Sequence, residues 1–447
     1  MASLTERYEA LIQWVRETGG NLHSAVEIYH DQQTGGSLRV KDSASVQADE
    51  VAVSLPLSAS ISYLNAISGH PDFPAATPSS IAHSKGGAHL PASFLKETPP
   101  HVIGRFFLIQ QYLLGQESRW WPYIRMLPQP SQMSSMLPVM WPSDDVEFLA
   151  GTNAYVAVEE IRSMLKKEYK RAMKLLPEGS KFEYTRPLYY WAYCIFTSRS
   201  FRPSLIIPSS EMASLPCQVD DFSVLLPLFD IGNHSPLVET RWTTEEREQV
   251  CKLHCGKAYS AGEQIYNNYG MKTNAELLLG YGFVFPENAD FHNDYVHIKT
   301  KANPEAGDLA ASHIVSLRSF AHPSSVIGRS RLLGPDHLVD VLHCFSHIQD
   351  SLIAALFESM AQEGNDGPDV SLVEIMQGKI SDVMLERIVN ALGSKLSMDL
   401  ETIEAQDPEY EPANSNQQVA FTYREQCKKV LGNTLLSLSA TKPSASS

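Results

Sequence analysis

Apolar residues recur along this chain in two alternating registers. Near the start, Leu4, Tyr8, Leu11, Ile12 and Val15 fall on one face of a 3.6-residue period, which predicts a helix. Ser3 and Glu6 have the spacing of a capping box at its head, and Gly19-Gly20 stops it. Over 22–64 the runs shorten: VEIYH, SLRV, EVAVSLP and ISYL are separated by Gly, Ser and Asp and predict strands. Residues 66–100, rich in Pro, Ser, Gly and His, predict a loop. Helical spacing then dominates 101–200, in HVIGRFFLIQQYLLGQ, YVAVEEIRSMLKKEYKRAMKLL and RPLYYWAYCIFTSRSF, with Pro128, Pro130, Pro138 and Pro142 between the first two. Strand character returns from Ser223 to Lys299 in VLLPLFDI, EQIYNNYG and DYVHIKT. From Asp308 to Leu436 the spacing is helical again, broken at EAQDPEYEPANSNQQ, and 441–447 reads as a disordered tail.

The order β, helical, β, helical predicts an α+β chain. A β-rich domain is interrupted by a helical insertion and followed by an all-α domain, and the two β halves must meet to share one core. With 447 residues, 43% of them hydrophobic, the chain has material for two or three compact units. The net charge of −15 argues against generic nucleic-acid binding, which needs clustered Lys and Arg. The six cysteines include no CxxC pair, which reads as a reduced, intracellular chain. Charges interrupt the N-terminus where a signal peptide would be apolar, and no apolar run approaches the roughly 20 residues of a membrane span. The expectation is a cytoplasmic protein, also nuclear, that is monomeric and binds neither membrane nor nucleic acid.

Two stretches carry chemistry. In Leu226-Pro-Leu-Phe-Asp230-Ile-Gly232-Asn233-His234-Ser235 an apolar strand runs straight into Asp, Gly, Asn and His. Gly-Asn after a strand is also ordinary turn chemistry, and taken alone that reading is the better one. In the second, a strand ends in Tyr269-Gly270, a helix follows with Asn274 as its expected N-cap, and Tyr281-Gly282-Phe283 closes it. Aromatic side chains beside glycines suit either a tight core or a ligand.

Together these stretches resemble the SET-domain methyltransferases of the Rubisco large-subunit methyltransferase type, a group that includes fungal enzymes modifying ribosomal proteins and elongation factors. Asp-x-x-Asn-His-Ser at 230–235 and Tyr-Gly…Asn-Ala-Glu-Leu…Tyr-Gly-Phe at 269–283 follow the family's two signature stretches in order. Trp121-Pro-Tyr-Ile-Arg-Met-Leu-Pro128, Trp191-Ala192 with Ser198-Arg199-Ser200-Phe201, and Trp14 with Gly19-Gly20 add three further matches. The resemblance is weakest after about residue 305. It implies an N-terminal helix and first half of a SET domain at 1–65, a helical insertion at 66–221, the second half at 222–302 and a helical substrate-binding domain at 303–440.

The implied activity is transfer of a methyl group from S-adenosylmethionine to a lysine of a protein substrate, such as a ribosomal protein or an elongation factor. Carried over by position, Tyr269 is the catalytic tyrosine. Thr34, Gly35, Gly36, Arg199, Asn233, His234, Tyr281 and Phe283 hold the cofactor. Ser198, Arg199, Phe201, Asp230, Gly232, Asn267 and Tyr281 surround the lysine. No metal is implied. Thr34 and Ser37 depart from the pattern near the cofactor turn. Gly232 and Asn267 stand where lysine-modifying relatives often have apolar residues, which opens the alternative of a histidine or N-terminal acceptor; Tyr281 favours lysine. A non-catalytic SET-like binding module is the other alternative, and the retained Tyr269, Asn233 and His234 speak against it.

Other signals read as structural. Cys251, His254 and Cys255 lack a second ligand pair at zinc-finger spacing. His343 and His347, with Asp340 nearby, would share a helix face that is more simply solvated. Asn233-His-Ser is formally a glycosylation sequon, which is silent in a reduced intracellular chain.

Overall fold

The computed structural model describes residues 3–32, 34–68, 90–245, 247, 249–300, 311–332, 338–364 and 370–440. The expected tail at 441–447 and most of the loop expected at 66–100 lie outside the described residues. The chain forms two compact units, one of Met1–Met136 with Ser163–Gly270 and one of Leu137–Arg162 with Met271–Ser447.

The first unit opens with the helix Leu4–Glu17. Its capping box is present: Glu6 N donates to Ser3 Oγ and Ser3 N to Glu6 Oε2. Such a box satisfies two donors that a helix start otherwise leaves open. Among the described residues ten short strands follow: β1 (Asn21–Leu22), β2 (Val26–Asp31), β3 (Gly35–Val40), β4 (Val51–Pro56), β5 (Ile61–Ser62), β6 (Ser200–Phe201), β7 (Val224–Leu225), β8 (Arg241–Glu245), β9 (Val250–His254) and β10 (Gln264–Ile265). They make three small sheets, in the orders β1-β4-β9-β8, β10-β3-β2 and β5-β7-β6. Each sheet joins early strands to late ones: β3 pairs with β10, β4 with β9 and β5 with β7, all antiparallel. The two β segments therefore meet in space. Leu38, Val53, Leu55, Ile61, Val224 and Leu225, all fully buried, fill the interior they share.

Helices Pro100–Leu114 and Arg186–Arg199 occupy the stretch between the β segments. Glu168 is the polar centre of this insertion. Its Oε2 accepts from Arg105 Nη1 at 2.7 Å and from the Tyr189 hydroxyl at 2.9 Å, and Oε1 lies 3.0 Å from His101 Nε2. Burial works to raise the carboxyl, but His101, Arg105 and Tyr189 outweigh it and hold the pKa at about 2.

Several elements differ from expectation. VLLPLFDI is a strand only at Val224–Leu225. The chain then turns through Leu228, whose φ is +72°, into a short 3₁₀ helix at Phe229–Ile231. The β8–β9 hairpin was not legible, because RWTTE has little apolar alternation and an exposed or half-exposed burial pattern. ISYL is a strand only at Ile61–Ser62 and then turns helical.

The second unit contains β11 (Tyr295–Lys299) and β12 (Ser312–Ser316), an antiparallel pair. It also contains helices Asp382–Glu404 and Ser415–Ser439, on either side of the acidic break. Val315, Phe345, Ile353, Ile388, Leu396 and Leu431 lie in its core. Residues 271–302, expected with the β domain, belong to this unit, because β11 pairs with β12 and the helix Ser415–Ser439 packs on both strands. The helical spacing from Asp308 onward hid β12, a five-residue strand. His343 lies in a 3₁₀ turn, not on a helix shared with His347, whose Nδ1 contacts Ser316 O at 3.0 Å.

Candidate active site

Three short segments of the first unit converge. The first is the β2–β3 turn. Asp31 Oδ1 accepts from Thr34 N at 2.9 Å and Thr34 Oγ1 at 3.1 Å. Gly35 then takes φ +75°, a conformation that side chains disfavour. A Cβ on Gly36 would lie 3.3 Å from the Tyr8 hydroxyl, so the first helix closes directly behind this turn.

The second segment is 230–235. Asn233 Nδ2 donates to Thr34 Oγ1 at 3.1 Å and to the buried Ser37 Oγ at 2.6 Å, which ties this turn to the first. Thr34 and Ser37, the two departures from the family pattern, are the residues that receive Asn233. The third segment is 267–269. His234 and Asn267 form a parallel bridge, with Asn267 N donating to Asn233 O at 2.8 Å and Ser235 N to Asn267 O at 2.9 Å. A Cβ on Gly232 would meet Asn267 Cβ at 3.3 Å, so the two strand ends touch.

Tyr269 is held at three points. Its backbone N donates to His234 Nδ1 at 3.2 Å. Its ring stacks on the imidazole, with centroids 4.9 Å apart and planes 11° off parallel. Its hydroxyl donates to Gly232 O at 2.9 Å. Since Nδ1 accepts, a neutral His234 carries its proton on Nε2. The imidazole is thus committed to Tyr269.

Beside this lies a charged cluster. Arg199 Nη1 donates to Asp230 Oδ2 at 3.1 Å and to Asp230 O at 3.2 Å. The Tyr123 hydroxyl donates to the same Oδ2 at 3.0 Å. Asp230 Oδ1 is buried and has no hydrogen-bond partner among the described residues. The Asp230 side chain is 1% exposed and that of Arg199 30%. Burial pushes the Asp230 carboxyl up, while Arg199 and Tyr123 pull it back. Arg199 cannot shed its proton, so it stays a cation against Asp230. Burial and the neighbouring carboxylate push the Tyr123 phenol well up, which keeps it a donor.

Phe201 stands at the end of the same arm. Its ring lies 4.7 Å from Trp242 and 6.4 Å from Phe229, a three-ring wall. Ser198 Oγ, by contrast, is turned back onto its own helix at Cys194 O, 2.8 Å. Asn267 is fully buried. Its Oδ1 accepts from Asn268 N at 2.8 Å, and its Nδ2 has no partner among the described residues. Half of the polarity expected there is therefore spent on local backbone.

Of the sequence-predicted residues, the first unit gathers Thr34, Gly35, Gly36, Ser198, Arg199, Phe201, Asp230, Gly232, Asn233, His234, Asn267 and Tyr269. Tyr281 and Phe283 belong to the second unit. There the helix Asn274–Tyr281 ends at Gly282, left-handed at φ +80°, which brings the Tyr281 and Phe283 rings to 6.4 Å from each other. Its N-cap is Thr273, not Asn274: the Thr273 hydroxyl accepts from Glu276 N, and Glu276 answers at Thr273 N. Asn274 instead acts from inside the helix. Its Oδ1 accepts from Phe285 N at 2.9 Å and its Nδ2 donates to Phe285 O at 3.0 Å. Sequence reasoning missed Tyr8 and Trp242. It quoted Tyr123 in a motif without giving it a task, since nothing in the sequence places the insertion against Asp230.

The cysteine–histidine cluster has other partners: His254 contacts Thr243 Oγ1 and Asp49 O, and Cys251 faces Thr244. Among the described residues no group of three or more His, Cys, Asp or Glu is placed to hold a metal, and no helix is long and apolar enough to cross a membrane.

No family model matches the sequence. Among curated proteins the chain is similar to the ribosomal lysine N-methyltransferase set10 of Schizosaccharomyces pombe, 27% identical over 96% of this chain and 71% of that one. It is also 27% identical to the actin-histidine N-methyltransferase of Danio rerio, over 51% of this chain and 34% of that one. Among solved structures, the SET domain of LSMT bound to lysine and AdoHcy superimposes with a TM-score of 0.65 over 98% of this chain and 92% of that one, at 17% identity. The fold is that of a SET domain with a helical insertion and a helical C-terminal region, and the sequence is similar to ribosomal and other protein-lysine N-methyltransferases.

Proposed function

We propose that this protein transfers a methyl group from S-adenosylmethionine to a lysine side chain of a protein substrate, with a ribosomal protein or a translation elongation factor as the acceptor class. One observation carries the reading: the Tyr269 phenol and the Asn233-His234 turn, 35 residues apart in sequence, are locked together at Gly232 O and His234 Nδ1. A scaffold that only docks partners has no need for a phenol held at three points.

The residues present fit the cofactor. Thr34, Gly35 and Gly36 offer backbone at a turn where Gly35 takes a positive φ and a Cβ on Gly36 would press on the Tyr8 hydroxyl, and the Asn233 amide braces that turn through Thr34 and Ser37. The guanidinium of Arg199, whose side chain is half-buried, suits a carboxylate. When bound, S-adenosylmethionine supplies a methyl group activated on a sulfonium.

The protein's part is placement and desolvation. A lysine amine must sit roughly 3–3.5 Å from the methyl carbon, in line with the bond that breaks. It must also be neutral, although its free pKa is about 10.4. The Phe201–Phe229–Trp242 wall strips water from the lysine stem and so disfavours the ammonium. The Tyr269 hydroxyl, anchored at Gly232 O, then orients the amine through its oxygen. It is a poor general base, because an ordinary phenol has a pKa near 10. Tyr281 and Phe283 retain the roles that the sequence resemblance gives them, at the lysine and at the adenine. We assign the protein to the cytoplasm and nucleus, as a monomer.

The test is to incubate the full chain with labelled S-adenosylmethionine and extract from cells lacking the protein, then map the modified residue by mass spectrometry. Methylated lysine supports the reading. Methylated histidine moves the protein to the alternative acceptor, and cofactor binding without any transfer makes it a binding module.

A further inference from the structure

The Trp121–Ile124 helix sends one side chain from the insertion into the charged cluster. Tyr123 is 1% exposed, and its hydroxyl donates to Asp230 Oδ2, the oxygen that Arg199 also uses. Both side-chain donors thus crowd one carboxylate oxygen. Oδ1, buried and without a partner among the described residues, is left over. A buried carboxylate oxygen without a donor is costly and rare in a finished core. It is economical where an incoming N–H completes it.

We propose that Tyr123 is a positioning residue for the protein substrate, fixing Asp230 so that Oδ2 holds Arg199 while Oδ1 stays open to an N–H of the acceptor segment. This rests on the reading of Asp230 and Arg199 as substrate-facing. Without the phenol, Asp230 keeps a single donor on Oδ2. Its side chain is then free to rotate and offer both oxygens to Arg199 in the bidentate manner that pair prefers. The open acceptor would be lost, while the Thr34–Gly36 turn and its Asn233 brace would be untouched.

The groups facing Asp230 are Arg199 and Tyr123, and Arg199 in turn feels Tyr8 and Tyr269. Each donor to the ionised carboxyl lowers its pKa, so removing one raises it.

The test uses the full chain and Tyr123→Phe, which keeps the ring and deletes only the hydroxyl. Four readouts are taken: thermal midpoint, S-adenosylmethionine affinity by calorimetry, transfer kinetics with L-lysine amide as the acceptor probe, and the titration of Asp230. The last is followed by carboxyl-labelled aspartate NMR, with the resonance identified by its loss in Asp230→Asn. The expected result is unchanged cofactor affinity, an acceptor KM raised about tenfold with kcat within about twofold, and an Asp230 midpoint higher by about 1 pH unit. A lower thermal midpoint with acceptor KM and Asp230 titration unmoved would overturn the proposal and leave Tyr123 as a packing residue. The titration needs no turnover. If the wild type transfers no methyl group, the functional reading fails, while an unmoved Asp230 midpoint in Tyr123→Phe still counts against this proposal separately.

Discussion

Asp230 in the first unit and Asp294 in the second are both buried carboxylates, and each keeps one oxygen without a partner among the described residues. Their surroundings differ. Asp230 has an arginine and a phenol on its other oxygen. Asp294 has only an amide: Asn274 Nδ2 donates to Oδ1 at 3.1 Å, in a cluster where Gln426 Nε2 also donates to Phe285 O at 2.7 Å. Burial, reinforced by Glu287 and only partly opposed by Asn274, Lys429 and Arg318, pushes the Asp294 carboxyl up to about 7. The lesson concerns what a buried acid is for. Anchored by a cation and a phenol, it is fixed in place and can hold and orient a partner. Served by amides alone, it approaches neutrality and serves the fold. Glu168 in the insertion is the fully satisfied extreme, with three partners and a pKa of about 2.

Three substitutions put this contrast at risk. Asp230→Ala removes the counter-charge of Arg199. It should lower unfolding free energy by roughly 3–5 kcal/mol in urea at pH 7 and abolish measurable transfer to L-lysine amide. A cost below about 1 kcal/mol with activity intact would mean that the pair is ornamental.

Glu168→Gln should cost about 3 kcal/mol at neutral pH, from a pKa held near 2 against an ordinary value of 4.5. Because the folded pKa lies below the unfolded one, this stability is present above pH 4.5 and is lost as pH falls toward 2. Urea titrations of wild type and variant should therefore converge at the acid end. A constant gap across that range would contradict the ion-pair account.

Asp294→Asn should act in the other direction. The folded pKa near 7 lies above the ordinary 3.8, so ionisation penalises the folded state progressively between those values. The amide should gain about 2 kcal/mol above pH 7, after an allowance of about 2 kcal/mol for its own buried N–H, and lose about that allowance below about pH 4, with transfer unchanged. A large loss of activity would show that Asp294 belongs to the chemistry after all.

Much of the site was legible because its residues sit at strand ends beside glycines, where sequence carries the backbone requirement as well as the side chain. Gly232, with Asn267 against it, and Gly35 at positive φ are such places. The opening helix was legible from its capping box and one apolar face. The rest depended on long-range contact. Tyr123 meets Asp230 across 107 residues and Tyr189 meets Arg105 across 84, and no local pattern announces either. The β8 strand was hidden because an edge strand without a buried face lacks the alternation that marks strands. Asn274 looked like a cap because Asn usually is one, but Thr273 takes that task and frees Asn274 to clamp Phe285.

The most direct measurement is single-turnover methyl transfer by Tyr269→Phe, with cofactor affinity determined on the same preparation. Removing the hydroxyl leaves the ring stacked on His234 and the backbone bond to Nδ1 in place, so binding should match the wild type. The rate should fall by at least about 100-fold, the scale of losing one oriented polar group at a reacting centre. Transfer at the wild-type rate, with the hydroxyl gone and the cofactor bound, would contradict the account.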